Sequence, residues 1–250
     1  GFANLSGTVE LTEAGGIAGL DARDAIVELP GILEKPIELQ RLAAQLRWTR
    51  SGERIDVQVS NLAATNADLD LALGGSFQRS LVAGSEPGSI DLTARVNRVE
   101  VAAVPRYVPL AAGPRTRAWL TRALAGGRGS EGSVRLKGEL RDFPFRDARR
   151  GEFRAAVRVR DGRLDYLPAG TREDGSERVG WPALDAIDAD VVFERQALTV
   201  TARSAAIFGT RVLNAVAQVP DLNRPDSTLN VRGATSVPAA DLLRYVRESG

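Results

Sequence analysis

The chain has 250 residues, of which 43% are hydrophobic and only 5% aromatic, and its charges nearly cancel at a net +1. Nucleic-acid-binding proteins normally carry a basic excess, so no nucleic-acid partner is expected. The sequence contains no His and no Cys. That composition excludes Ser-His and Cys-His nucleophile systems, disulfides and the commonest metal ligand, and we expect no enzyme activity, no cofactor and no metal site.

The first residues of the chain already have a strand-like pattern. It opens on Gly1-Phe2-Ala3-Asn4 and contains no Met. No apolar stretch approaches the roughly 20 residues that a membrane-spanning helix needs. We therefore expect a segment cut from a longer chain, with any membrane anchor outside it.

Apolar and polar residues alternate along most of the sequence, which is typical of antiparallel strands with one face in water. Turn residues such as Gly74-Gly75 and Pro87-Gly88 separate the alternating segments and predict about a dozen strands. The apolar positions that define the clearest strands are Ile55, Val57, Val59, Leu69, Leu71, Leu73, Ile90, Leu92, Leu198 and Val200.

Two segments depart from this alternation and predict short helices, near 114–126 and 238–247. Pro114 suits a first helical turn, and Trp119 and Ala123 are spaced to stack on one helix face. A basic and aromatic helix of this kind can lie at a membrane interface or meet lipid headgroups, although packing against a sheet end is the plainer interpretation. The candidate contact residues are Arg115, Arg117, Trp119 and Arg122.

The two halves of the chain also look alike. Leu39 and Trp48 match Leu184 and Phe193, each 145 positions later, and Arg-Tyr-Val occurs at 106–108 and again at 244–246. The predicted organisation is a first β repeat unit over 1–113, a helix and connecting strand over 114–148, and a second β repeat unit over 149–250. Together the units would form one continuous groove.

Three local motifs suggest chemistry, and a plainer interpretation is favoured for each. Gly127 to Gly132 fits G-x-G-x-x-G, but a helix precedes it and a strand follows, so we interpret it as a flexible connector. Asp185, Asp188 and Asp190 are interpreted as a solvated strand face and not as a calcium loop. Phe143-Pro144-Phe145, with arginines around it, is interpreted as a solvated turn, with headgroup contact as the alternative.

Amphipathic strands must cover their apolar faces. A β-sandwich covers one sheet with another, a barrel closes on itself, and a curled sheet leaves an open groove for an apolar ligand. The pattern alone does not separate these architectures. A closed sandwich would serve adhesion or assembly without a ligand, and a carbohydrate-processing enzyme is a remote third hypothesis because its two carboxylates need no particular motif.

A family resemblance favours the groove. The motifs that carry it, in order, are Tyr107-Val108-Pro109-Leu110, Trp119-Leu120, Phe143-Pro144-Phe145, Asp161-Gly162-x-Leu164-x-Tyr166 and Trp181-Pro182. They resemble the central region of the YhdP family of AsmA-like proteins of Gram-negative bacteria.

The resemblance implies a mainly β fold, a curled and mostly antiparallel sheet that forms an open groove. It also implies a periplasmic segment, tethered to the inner membrane elsewhere in the parent protein, that carries phospholipid or another acyl-chain lipid towards the outer membrane. Other cell-envelope proteins are expected partners. The ten apolar strand positions given above would then line the lipid groove.

Overall fold

A computed structural model describes residues 1–166, 170–171, 175, 177–178, 180–222, 224, 227–235 and 247. It contains one thirteen-stranded sheet and a separate two-stranded hairpin, and every strand pairing is antiparallel. The strands are β1 (Phe2–Ala3), β2 (Gly7–Thr12), β3 (Gly15–Val27), β4 (Ile37–Ser51), β5 (Arg54–Thr65), β6 (Leu69–Ser80), β7 (Ser89–Glu100), β8 (Leu124–Glu139), β9 (Gly151–Leu164), β10 (Gly170–Thr171), β11 (Glu177–Arg178), β12 (Leu184–Glu194), β13 (Ala197–Ile207), β14 (Thr210–Val219) and β15 (Asn230–Thr235).

The sheet is a meander in which each strand from β2 onwards pairs with its neighbours in the chain, except that the β10–β11 hairpin is inserted between β9 and β12. The order is β1-β3-β4-β5-β6-β7-β8-β9-β12-β13-β14-β15, with β2 beside β1 on the same side of β3. Among the described residues no ladder joins β15 to β1 or β2, so the sheet is open at both edges. The predicted mainly β fold is confirmed, and the β-sandwich alternative is wrong because the long strands form one sheet.

Tight turns explain why consecutive strands pair. Gly52 between β4 and β5 has a φ of 59°, and Phe208 and Gly209 between β13 and β14 have φ of 53° and 80°. Two-residue turns with positive φ match the twist of the strands they join, so they favour hairpins between sequence neighbours.

Bulges interrupt the ladders at regular places. Asn61 in β5, Glu131 in β8, Ala186 in β12 and Asn214 in β14 have φ between 48° and 53°, and each lies where the pairing register shifts. A bulge puts two residues opposite one and increases the local right-handed twist. The wide sheet is therefore twisted repeatedly along its breadth.

Two glycine segments were predicted as breaks and lie inside strands instead. Gly74-Gly75 belongs to β6, and the segment from Gly127 to Gly132 belongs to β8. A Cβ added to Gly132 would stand 2.8 Å from the Cβ of Val96 on the neighbouring strand. The glycine at position 132 makes room for the Val96 side chain. The turn predicted at Gly74-Gly75 and the flexible connector predicted from Gly127 to Gly132 are both wrong, because each segment lies within a strand.

The connection between β7 and β8 holds the helical segments. It contains two 3₁₀ helices, Val101–Tyr107 and Leu110–Ala112, and one α-helix, α1 (Pro114–Ala123). The predicted helix is confirmed, but it ends at Ala123 because β8 begins at Leu124. A third 3₁₀ helix, Leu140–Asp142, follows β8. The helix predicted over 238–247 lies outside the described residues except for Arg247.

The buried hydrophobic core of the protein is small. Its main buried cluster consists of Ala22, Ala25, Leu39, Leu42 and Ala64, so small side chains provide most of the burial. The accessible surface is 15735 Å², whereas a compact monomer of this mass has about 10,700 Å². In the described part of the chain no helix is both long and apolar enough to cross a membrane.

Candidate functional site: a continuous apolar face

Rows of apolar side chains cross the sheet from strand to strand. One row is formed by directly opposed residues on seven strands: Leu62, Leu73, Ala94, Val134, Ala155, Phe193 and Leu198. Opposed residues in a ladder lie on the same face of a sheet. A single face, named here the apolar face, therefore carries an unbroken apolar row from β5 to β13.

The ladder places all ten predicted groove residues on this apolar face. Leu73 belongs to the row above, and Leu69 and Leu71 alternate with it along β6. Ile90 lies opposite Phe77, which lies opposite Val57. Leu198 lies opposite Phe193, and Val200 lies opposite Val191. Whether these residues contact lipid stays a prediction, but their common face is a feature of the structure.

The apolar face is only partly shielded from water. Of the ten predicted groove residues only Leu69 is buried, at 8% exposure, and the other nine are half-buried. Side chains in a closed sandwich core would be buried by the facing sheet. The apolar face thus offers aliphatic surface that a ligand can cover.

The opposite face is polar and internally paired. Asp188 forms ion pairs with Arg158 and Arg203, at 3.5 and 3.2 Å, and Arg203 also contacts Asp190. The aspartates therefore form a solvated strand face, as predicted. Among the described residues no group of three or more acidic side chains is placed to hold a metal ion.

Asp91 is another carboxylate of the polar face that is paired with two cations. It accepts a hydrogen bond from Arg135, and Lys137 lies 3.4 Å away. The bond from Arg135 holds the pKa of the Asp91 carboxyl below its usual value, with a smaller contribution from Lys137. These cross-strand pairs suit a face that stays in water.

One end of the sheet is closed by the β7–β8 connection. Asn66, in the β5–β6 turn, donates to the Tyr107 hydroxyl at 3.0 Å and to the Glu38 carbonyl at 2.8 Å. Arg106 lies 2.5 Å from Asp68 in the same turn. Burial raises the pKa of the Tyr107 phenol. The 3₁₀ helix Val101–Tyr107 is thereby fixed to the strand ends.

The helix residues predicted to contact a membrane are partly engaged within the protein. Arg117 pairs with Glu34 and its side chain is only 17% exposed, while the Trp119 indole donates to the Tyr166 carbonyl at 3.0 Å. Arg122 is exposed, and the side chain of Arg115 lies outside the described part of the chain. Contact of this helix with headgroups stays a prediction, best supported at Arg122.

The other end of the sheet carries an aromatic plug. Phe145, in the β8–β9 connection, is fully buried, and a Cβ on Gly138 would stand 2.7 Å from its ring. Phe143 packs on Phe153 with ring centroids 5.1 Å apart. Gly138 and Phe153 both belong to rows of the apolar face. The interpretation of this segment as a solvated turn is therefore wrong for Phe145.

A basic cleft of about 420 Å³ lies beside the plug, and a second cavity of about 330 Å³ shares Glu194 and Arg195 with it. The larger cavity, named here the arginine cleft, is lined by five cationic side chains and two acidic ones. The cations are Lys137, Arg149, Arg150, Arg154 and Arg195, and the acids are Glu152 and Glu194.

The whole sequence matches one protein family. The family model described as YhdP protein covers residues 1–250. The chain belongs to the YhdP family. The resemblance drawn from the order of its motifs is thus confirmed.

A curated relative in the YhdP family is the protein named intermembrane phospholipid transporter YhdP, from Escherichia coli (strain K12). It is 22% identical over 232 residues, which cover 90% of this chain and 17% of the relative. The chain therefore corresponds to about a sixth of the relative's length. No solved structure matches the chain.

Three features of this YhdP-family chain were missed by sequence reasoning. They are the burial of Phe145, the role of Asn66 as a bridge between strand ends, and the assembly of the arginine cleft. Only the first had a local signal, since an aromatic pair next to a proline in a polar stretch indicates a packed loop. The other two depend on residues far apart in the chain.

Proposed function

We propose that this chain is a lipid-carrying segment of a transporter, and that phospholipid acyl chains lie along its apolar face. The observation that carries the proposal is the continuous apolar face, which no second sheet covers among the described residues. The Escherichia coli relative is named an intermembrane phospholipid transporter, which supports the same ligand class.

The energetics suit this role. An acyl chain of about 15 methylenes costs on the order of 12 kcal/mol to expose to water, at about 0.8 kcal/mol per methylene. An aliphatic surface that continues from strand to strand lowers this cost at every step. The charged headgroup can stay in water at the open edge of the sheet, so no residue needs to release or bind a proton.

We propose that the transfer is bridge-like, and the order of the strands supports this. The strands lie side by side, so a lipid moving across them meets equivalent rows of Val, Leu, Ala and Ile. We place this segment in the periplasm, in a parent protein tethered to the inner membrane, and expect contact with other envelope proteins. The role requires no catalysis, no cofactor and no metal.

Native mass spectrometry of the chain purified from a Gram-negative bacterium tests the proposal. The expected result is a population with the added mass of one or more phospholipids, identified by fragmentation after gentle extraction. The matched control is a variant with Asp on the apolar face, which should lose the added mass. A lipid-free spectrum for the unaltered chain under conditions that keep lipid on a known carrier would refute the proposal.

A further inference from the structure

The arginine cleft has a charge that the rest of the chain does not share. Five cations and two acids line it, although the whole chain has a net charge of only +1. The partners of Lys137, Arg149 and Arg150 are Asp91, Asp147 and Asp142, and none of these three aspartates lines the cleft. The lining itself carries more cations than acids, and three of its five cations are balanced by carboxylates outside it.

Two of the arginines have guanidinium donors that are not used in the ion pairs of the described residues. Arg154 has no ion pair within the described residues. Arg195 pairs with Glu194 through one terminal nitrogen at 3.1 Å, but its buried Nε has no hydrogen-bond partner among the described residues. An unpaired buried donor is costly, and a guanidinium forms its strongest hydrogen bonds with carboxylate or phosphate oxygens.

The position of Arg195 is fixed by the backbone. Arg195 has a φ of 53° in the β12–β13 turn, and its N–H donates to the Phe153 carbonyl at 2.9 Å. This bond ties the turn to β9, where Arg154 follows Phe153 directly. The two guanidinium groups are thus attached to neighbouring strands and converge on one cleft without a mobile loop between them.

The arginine cleft lies at the end of the sheet that carries the plug. Phe153 lines the cleft and lies opposite Leu136 on the apolar face. Arg154 follows Phe153 in β9 and lies opposite Arg135 and Glu194, so its side chain projects from the polar face. A ligand with a phosphate at one end and an apolar chain at the other contacts both surfaces by passing around the strand ends.

We propose that the arginine cleft binds the phosphate group of a phosphate ester, with Arg154 and Arg195 as its principal donors. The headgroup of a phospholipid and a soluble phosphate ester share this chemistry. The inference that the natural source is lipid rests on the proposed function, whereas the phosphate site itself does not.

Isothermal titration calorimetry of the 250-residue chain tests the site. The probes are inorganic phosphate, glycerol phosphate and dihexanoyl phosphatidylglycerol below its micelle concentration. Arg154→Gln and Arg195→Gln should each weaken all three probes at least tenfold. Arg47→Gln is the matched control, since Arg47 is an exposed arginine on β4 outside the cleft, and it should change affinity less than twofold.

Two further variants keep the test decisive. Arg149→Gln is the alternative if Arg195→Gln fails to fold. It removes a cleft cation whose side chain is 91% exposed, so it should weaken binding without disturbing the fold. Leu136→Asp lies on the apolar row and should weaken only the lipid probe. Selective loss of the lipid probe in that variant identifies lipid as the better ligand.

The outcomes separate this inference from the proposed function. If no probe binds, or if binding is indifferent to all three arginine variants, the phosphate site is wrong. If lipid binds independently of the arginines and is lost on Leu71→Asp, the proposed function stands without the phosphate site. If the soluble phosphates follow the arginines while lipid does not bind, the site stands and the proposed function fails.

Discussion

The ring of Phe145 occupies the space that a side chain on Gly151 would need. A Cβ placed on Gly151 would stand 2.5 Å from the Phe145 Cδ1, and Phe145 is the largest side chain that is fully buried among the described residues. The β8–β9 connection thus folds back onto the strand that follows it. The end of the apolar face is closed by a side chain that fits over a glycine.

Replacing Phe145 tests this plug. We expect Phe145→Ala to lower the free energy of unfolding by about 3 to 5 kcal/mol, because a buried aromatic leaves a cavity when it is truncated. Urea unfolding followed by circular dichroism measures the change. Phe143→Ala is the control, since Phe143 is 45% exposed and should cost about 1 kcal/mol. Equal losses in both variants would contradict the plug.

Charge on the apolar face tests the ligand surface. We expect Leu71→Asp and Val200→Asp to stay folded and soluble, with a loss of about 1 to 2 kcal/mol from the lost apolar contact, because the carboxylate can reach water. Co-purified phospholipid, measured by native mass spectrometry, should fall sharply in both.

Asp70→Ala is the control for these variants, because Asp70 alternates with Leu71 and its Oδ1 accepts a hydrogen bond from Asn97 on the polar face. It should leave lipid content unchanged. If both apolar-face variants fold and retain full lipid, the apolar face is not the conduit.

Asn66, which is half-buried in the β5–β6 turn, is expected to contribute more to stability than a turn residue normally does. Its Oδ1 accepts from the backbone N–H groups of Asp68 and Leu69, at 3.0 and 2.8 Å, while its amide nitrogen bonds to Glu38 and Tyr107. Asn66→Ala leaves these groups unpaired and should cost about 1 to 3 kcal/mol.

Thermal unfolding compares Asn66→Ala with Asn97→Ala, which removes one side-chain bond, to Asp70. We expect the midpoint to fall further for Asn66→Ala. A fall no larger than that of Asn97→Ala would show that the β7–β8 connection is held by other contacts.

The Asp91 pair makes stability depend on pH in a defined direction. Its pKa is lowered in the folded state, so the ionised carboxylate stabilises the fold above the unfolded pKa near 4, and this contribution is lost as pH falls through the folded pKa. The pair is exposed, so we expect less than about 1 kcal/mol.

The measurement is the difference in unfolding free energy between the unaltered chain and Asp91→Asn. It should be constant near neutral pH and shrink below about pH 4. Glu10→Gln, on the exposed edge strand β2, controls for the loss of one negative charge. A difference that grows on acidification would contradict the assigned direction.

The faces of the strands could be predicted from the sequence, because side chains alternate along a strand whatever its neighbours are. Alternation alone therefore predicts which residues of β5, β6, β7 and β13 share an apolar face, without knowledge of how the strands pair. The glycines could not be predicted in this way. Gly75 resembles a turn residue, yet it lies within β6 opposite Leu92, and the size of that neighbour appears only in the register.

The sites at the two ends of the sheet needed the tertiary structure. Phe145 is buried because two glycines on β8 and β9 leave a space between them, and single-sequence patterns do not show which strands adjoin. The arginine cleft brings together Lys137 on β8 and Arg195 in the β12–β13 turn, although β9 and the β10–β11 hairpin lie between them in the chain. The division into two repeat units stays a prediction, because the sheet continues across both of its boundaries.

The meander has a consequence for folding. Each long strand is paired with sequence neighbours, apart from the inserted β10–β11 hairpin, so most of the ordering is local along the chain. Proteins in which contacting residues are close in the sequence tend to fold quickly. In linear arrays the free energy of unfolding is close to a sum of contributions from each unit and from each interface between neighbouring units. Folding of this sheet can begin at any hairpin and spread both ways, while unfolding proceeds inwards from β2 and β15, so hydrogen exchange should be slowest near β8 and β9.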